Sequence, residues 1–177
     1  MTIKPIITVP DPVLKVVSKT VDVVDDKTRL LMDDMLETMY DAPGIGLAAI
    51  QIGVALRVIV MDIAWKKEDA KREPKFFVNP EISNQSKETA IYEEGCLSIP
   101  NQYAEIERSA TCTIKYLDYD GKERTEDTDG LFATCIQHEM DHLEGILFID
   151  YLSKLKKNII VKKLTKQKKS SKDDVIA

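Results

Sequence analysis

Hydrophobic and polar positions change period several times along the chain, and each change marks an element. Apolar residues at Leu30, Leu31, Met35, Leu36 and Met39 recur at a helical period. Asp25 and Asp26 stand before them as capping residues, and Pro43 disfavours helix ahead of it, so a helix ending near Asp41 is predicted. DPVLKVVSK opens with Asp then Pro, a cap and first-turn pair, which predicts a short helix near 11–18. Three β-branched and aromatic stretches follow: RVIVMDI at 57–63, FFVNPEI at 76–82 and TCTIKYLDY at 111–119. Asp120-Gly121 reads as a hairpin turn into KERTEDT, and WKKEDAKREP (65–74) as a solvated loop between strands. Asp127 or Asp129 can cap a helix from about 131 to 143, with Gly145 at its stop. Successive strands with helices near both ends predict an α+β fold.

Composition narrows the class. With 177 residues, 44% of them hydrophobic and 31% charged, the chain fits one globular domain over 1–177. It has no run of 18 or more apolar residues, so a membrane-spanning helix is excluded. The start, MTIKPIITVP, has no apolar segment followed by a small-residue cleavage site, so a cytoplasmic protein is expected. The net charge of −5 conceals a split. Residues 151–177 hold nine Lys against Asp173 and Asp174, a balance of +7, which leaves −12 for residues 1–150. An acidic body with a lysine-rich helical tail at about 152–177 predicts two surfaces with different partners. Leu152, Leu155 and Ile159 mark a narrow apolar stripe on that tail.

The chemistry begins with scarcity, since the chain has only two histidines. Both lie in QHEMDHLEG, as His138-Glu139-Met140-Asp141-His142. On a helix, positions i and i+4 stand almost one above the other, so both imidazoles can grip one ion. Glu139 falls on the adjoining flank, where a carboxylate can reach a metal-bound water without ligating the metal. A third ligand must come from elsewhere. The metzincin pattern matches as far as Gly145 but would need His where Phe148 stands. Beyond Glu144, which is too near the helix to fold back, the only acids are Asp150, Asp173 and Asp174. Cysteines remain. Cys135 lies one turn before His138, too far along the axis to complete a tetrahedron comfortably, and Cys112 sits in a strand as a small hydrophobe. Cys96, in the bend EEGCLSIP, is the candidate. A His₂Cys set leaves a position open for water, the arrangement of a catalytic site. A divalent ion can bring that water's pKa to about 7. Glu139 would take its proton and deliver it to a leaving amine, a combination that fits amide hydrolysis.

The segment GIGLAAIQIG (44–53) contains Gly44-x-Gly46-x-x-Ala49, with Asp62 following at a strand end. That spacing imitates a dinucleotide fingerprint, but the motif must follow a strand and here a helical pattern precedes it. No nucleotide cofactor is expected. The better reading is an extended turn that carries Gln51 towards the metal. A metallopeptidase would need a third His or Glu that the sequence lacks. A non-catalytic metal module would have no use for Glu139.

GIGLAAIQ, EGCLS and QHEMDH, in that order, resemble the bacterial peptide deformylases, of the type found in Gram-negative bacteria and organelles. The resemblance runs from about residue 2 to about 155. It implies antiparallel sheets around a central helix bearing the metal motif, with N-terminal helices and a C-terminal helix. It implies removal of the formyl group from the N-terminal formyl-methionine of nascent chains, with release of formate. Cys96, His138 and His142 match the family's metal ligands and Glu139 its general base. The Gln51 side chain and the Leu97 N–H match its oxyanion donors. Gly46 matches a position whose backbone holds substrate, and Ile45, Leu131 and Cys135 the methionine pocket. Glu94 and Arg108 match a pair that braces the cysteine loop, whereas Tyr103 departs from relatives with Arg there. The metal implied is Fe²⁺ in the cell, replaceable by Ni²⁺, Co²⁺ or Zn²⁺, where spacing alone would have said zinc. For the tail, one reading is a solvated helix fraying after about Thr165. The other, implied by relatives with a C-terminal helix, is docking on the ribosome near the exit tunnel.

Overall fold

The computed structural model describes residues 2–66 and 71–173. Along the chain run a 3-10 turn at Pro12–Lys15, α1 (Asp26–Asp41), β1 (Gly46–Ala48), a 3-10 turn at Ala49–Ile52 and β2 (Val58–Met61). They are followed by β3 (Lys75–Ser83), β4 (Thr89–Cys96), β5 (Ile99–Ser109), β6 (Thr111–Leu117) and β7 (Glu123–Asp129). The chain then forms α2 (Gly130–Leu143), a 3-10 turn at Phe148–Tyr151 and α3 (Lys154–Asp173). The class is α+β. Five strands make an antiparallel sheet in the order β1-β2-β3-β6-β7, and β4 pairs with β5 alone.

The central strand β2 explains how the layers form. All four of its residues are buried, because successive side chains point to opposite faces and both faces are covered. Val58 and Val60 join Met32, Met35 and Met39 of α1. Ile59 and Met61 join Phe77, Ile114 and the Ala133 and Ile136 of α2. The sheet is therefore sandwiched between α1 and α2, and α2 is the central helix. Beside it, β3 carries a bulge between Val78 and Glu81. Pro80, which has no N–H to give a ladder, sits in that bulge, and Asn79 exchanges two hydrogen bonds of 2.8 Å with the backbone of Val21.

The helix expected near 11–18 is shorter, a single turn at Pro12–Lys15 capped by the Asp11 carboxylate. Valines at 16 and 17 disfavour its continuation. Asp129 stands at the N-cap of α2, but its side chain makes no capping bond. Gly145 ends that helix with φ +69, and a Cβ there would lie 2.5 Å from the carbonyl oxygen of Lys15. The β4–β5 hairpin is absent from the sequence reading. Its Ile99 and Ile106 pack with Leu14, Leu147, Phe148 and Leu164. The apolar stripe of the tail is also turned. Leu152 is half-buried against the body, but Leu155 and Ile159 are exposed, and Leu164, with Ile160 and Val161, faces the body instead. The helix continues past Thr165 to Asp173, and 174–177 lie outside the described residues. No helix among the described residues is long and apolar enough to cross a membrane.

Candidate metal and active site

Two elements bring three donors together. The first is α2, whose apolar face is locked under the sheet so that His138 and His142 point to its edge, with ring centroids 5.0 Å apart. The second is the end of β4, which places Cys96 Sγ 3.2 Å from His142 Nε2. The ligand atoms of Cys96, His138 and His142 all lie within 4.8 Å of one another. In a tetrahedral site with metal–ligand bonds of roughly 2.0–2.3 Å, ligand atoms stand roughly 3.3–3.8 Å apart, and the Cys96–His142 pair is already near that spacing. A thiolate with two imidazoles is a donor set for a borderline divalent ion. The residues present fit such an ion.

Around His138 the polar groups are fixed in turn, whereas His142 Nδ1 is buried without a hydrogen-bond partner among the described residues. His138 Nδ1–H donates to Glu94 Oε2 at 2.8 Å, which leaves Nε2 free to face an ion. Glu94 accepts a two-pronged bond from Arg108, at 2.5 and 3.0 Å, and Arg108 reaches on to Asp141 at 2.8 Å. Burial opposes charge on Glu94, but the bonds from His138 and Arg108 outweigh it and hold its pKa below the ordinary value. Burial likewise opposes protonation of both imidazoles. At His142 it wins, aided by the neighbouring His138, and the pKa falls well below the usual value. At His138 the bonds to Cys96 and Glu94 prevail, and the pKa rises.

Glu139 is buried, and its Oε2 has no hydrogen-bond partner among the described residues. Such a group is costly unless a ligand completes it, which marks a reactive carboxylate. Burial pushes its pKa up to about 7, and a divalent cation held by the triad would pull the opposite way. Gln51, almost wholly buried, accepts the Ala48 N–H at 2.9 Å through Oε1. That bond fixes the amide so that Nε2 faces Ser98 Oγ at 3.1 Å and Cys96 Sγ at 3.5 Å.

A cleft of about 680 Å³ joins these groups. Ile45, Gly46, Gln51, Cys96, Leu97, Leu131, Cys135, His138 and Glu139 all line it, so the structure brings every expected site residue but His142 to one cleft. His142 lies behind, against Cys96. Gly46 is required by crowding: a Cβ there would sit 2.5 Å from Glu139 Oε1 and 3.0 Å from Cys135 Sγ. Cys135 is thus cleft wall, and burial, then the Glu139 and Glu94 charges, keep it a thiol. Tyr103 is exposed at the mouth.

The polypeptide deformylase family model matches residues 3–158. The chain belongs to the peptide deformylase family. It is accordingly an enzyme, a metal-dependent hydrolase that removes the N-formyl group from nascent peptides. Among its relatives, the peptide deformylase of Pelagibacter ubique is 62% identical over 95% of this chain and 96% of its own. The crystal structure of the deformylase from Ehrlichia chaffeensis is 40% identical, with a TM-score of 0.91 over 96% of this chain and 99% of that one. The deformylase from Legionella pneumophila is 44% identical, with a TM-score of 0.87 over 96% and 98%.

The sequence did not point to Ser98, which is fully buried behind Gln51 and carries no local signal. It also missed the link from Glu94 to His138, and Asp141 as the outer partner of Arg108. Asp141 could have been suspected, since it lies three residues after His138 and hence near the same helix face.

Proposed function

We propose that Cys96, His138 and His142 hold the divalent ion of this deformylase, that Glu139 carries the proton, and that Gln51 and the Leu97 N–H steady the formyl oxygen. The carrying observation is that the donor triad closes at the wall of the cleft that Cys96, His138 and Glu139 line, with a Glu139 oxygen unpartnered among the described residues. When bound, the ion would supply Lewis acidity, acidifying a water and polarising the formyl group. Glu139 accepts a proton from the attacking water and returns it to the departing amine. Gln51 needs no reorganisation, because its amide is already clamped by Ala48 and Ser98. A preset donor of this kind is worth about 3–4 kcal/mol in the transition state. The peptide lies along Ile45 and Gly46, with the methionine side chain among Ile45, Leu131 and Cys135. The cellular ion is read as Fe²⁺, with Zn²⁺, Ni²⁺ and Co²⁺ as substitutes, since the thiolate and imidazole set accepts all of them.

Replacing Glu139→Ala tests the assignment. Purified without oxygen, the variant is expected to keep its metal by elemental analysis. Its formate release from a formyl-Met peptide should fall by roughly 10²–10⁴-fold. Full activity would refute the assigned base.

The reading extends to α3. Lys156, Lys162, Lys163 and Lys166 are exposed on it, beside the uncovered Leu155 and Ile159. This face is assigned to the ribosome near the exit tunnel, in keeping with a cytoplasmic enzyme acting on nascent chains. Reversing those four lysines to Glu should weaken salt-sensitive co-sedimentation with ribosomes while sparing turnover of a small formyl peptide. Unchanged sedimentation would remove the assignment.

A further inference from the structure

Asp62, singled out by its spacing from the glycine segment and then left without a task, is 1% exposed and has four hydrogen-bond donors around it. Tyr40 Oη donates to it at 2.7 Å. The backbone N–H groups of Ala64 and Trp65 donate at 3.0 and 3.1 Å, and that of Glu73 at 2.8 Å. These bonds use both carboxylate oxygens, so the group is satisfied and the turn at 62–65 is rigidly wound on it. The turn aims the Trp65 indole. Its Nε1–H donates to the carbonyl of Gly44 at 2.8 Å. The ring is held edge-on by Tyr40, centroids 5.2 Å apart, and the Arg72 guanidinium covers the other ring of that pair at 4.1 Å. The backbone N–H of Asp62 itself donates to the carbonyl of Ile45 at 2.9 Å. Two consecutive carbonyls of the cleft wall are therefore taken up by one turn.

We propose that Asp62 is a positioning residue for the peptide groove: acting through Trp65, it fixes the Gly44–Gly46 wall along which the substrate backbone lies. The inference rests on the assignment of that wall to substrate. It gives the turn at 62–65 a part in reading the peptide beyond the formyl-methionine, since each further residue lengthens the backbone that must follow the wall past its first contact at Ile45 and Gly46. The crowding at Gly46 shows how little play the wall has, with Glu139 close on its other side. A shift of Gly44 by loss of the indole bond would misplace a peptide backbone before it disturbed the metal.

Trp65→Phe tests this, because it keeps the ring against Tyr40 and removes only the N–H. On a formyl-Met tripeptide, KM should rise roughly fivefold, the size of one lost hydrogen bond, with kcat little changed. On formyl-Met amide, which has no further residues, the change in kcat/KM should be under about twofold by the same reasoning. Metal content should equal that of the wild type. Asp62→Asn should show the same split, larger in size. Equal losses on both substrates, or none on the tripeptide, would overturn the brace. The wild type on the two substrates checks the wall itself: if lengthening the peptide leaves KM unchanged, the substrate assignment fails and the brace with it. A length effect in the wild type without a Trp65→Phe effect removes the brace alone.

Discussion

His138 and His142 are carried by a helix whose Ala133, Ile136 and Leu143 are fully buried under a five-stranded sheet, whereas Cys96 closes one strand of a two-stranded hairpin. A two-stranded ribbon is marginal by itself. The hairpin also buries little of its own: on β4 the buried residue is Glu94, and on β5 they are Ile99, Ile106 and Arg108. The position of the thiolate is therefore imposed from outside. Arg108 ties the two elements, since one guanidinium holds Glu94 on β4 and Asp141 on α2, and Glu94 holds His138. The metal triad is built by fastening a weak element to α2 with buried charges, while the hairpin's Ile99 and Ile106 pack in a separate apolar cluster with Leu14, Leu147 and Phe148.

Removing the fastener should have the largest effect. Arg108→Met leaves Glu94 buried beside His138 without its cation, and loss of one partner from a buried pair costs about 3–5 kcal/mol. Denaturant midpoints should show that loss, and metal content should fall with it. A cost below about 1 kcal/mol with full metal occupancy would mean the hairpin holds its own shape, against expectation for a buried pair.

Apolar truncations should separate the two regions further. Ile136→Ala empties a fully buried site on α2 and should cost about 2–5 kcal/mol. Ile91→Ala on β4, where the side chain is 64% exposed, should change stability by no more than about 0.5 kcal/mol. Similar costs in unfolding experiments would erase the distinction between a packed helix and a fastened hairpin.

The same contrast decides what could be read from the sequence. The helical half of the triad was legible because i,i+4 spacing is local and needs no tertiary knowledge. Cys96 followed by elimination among three cysteines. The hairpin that carries it was not legible from pattern, because its key buried positions, Glu94 and Arg108, are charged and give no apolar alternation; only the family resemblance marked them as a pair. The stripe on α3 was misplaced for a related reason. In a run this rich in lysine, Leu155 and Ile159 match a helical period as well as Ile160 and Leu164, and only the body chooses between them. The spacing of Asp62 from Gly44 imitated a fingerprint that the preceding helix ruled out, and its tie to the glycine segment, through the Trp65 indole and its own N–H to Ile45, is tertiary.

A smaller effect tests whether the ground beneath the hairpin is ionic as well. Asp150 accepts bonds from Lys15, from Lys157 Nζ at 2.5 Å and from the Leu147 N–H at 2.8 Å, tying three segments that pack below Ile99 and Ile106. Burial opposes its charge, but Lys15, Lys157 and Leu147 outweigh that and keep its pKa below the usual carboxylate range. A folded pKa lower than the unfolded one gives stability that is complete above the unfolded value of about 4 and is lost as pH falls through the folded value. Asp150→Asn should therefore cost about 1 kcal/mol at pH 7, a size limited by the partial exposure of the lysines. The gap between variant and wild type should narrow as pH falls from about 5 towards 3, as the carboxylate is neutralised. The gap for Ile136→Ala, which removes no charge, should stay constant over the same range. If the two gaps run parallel, Asp150 acts through shape alone, and the ionic account stops at Arg108.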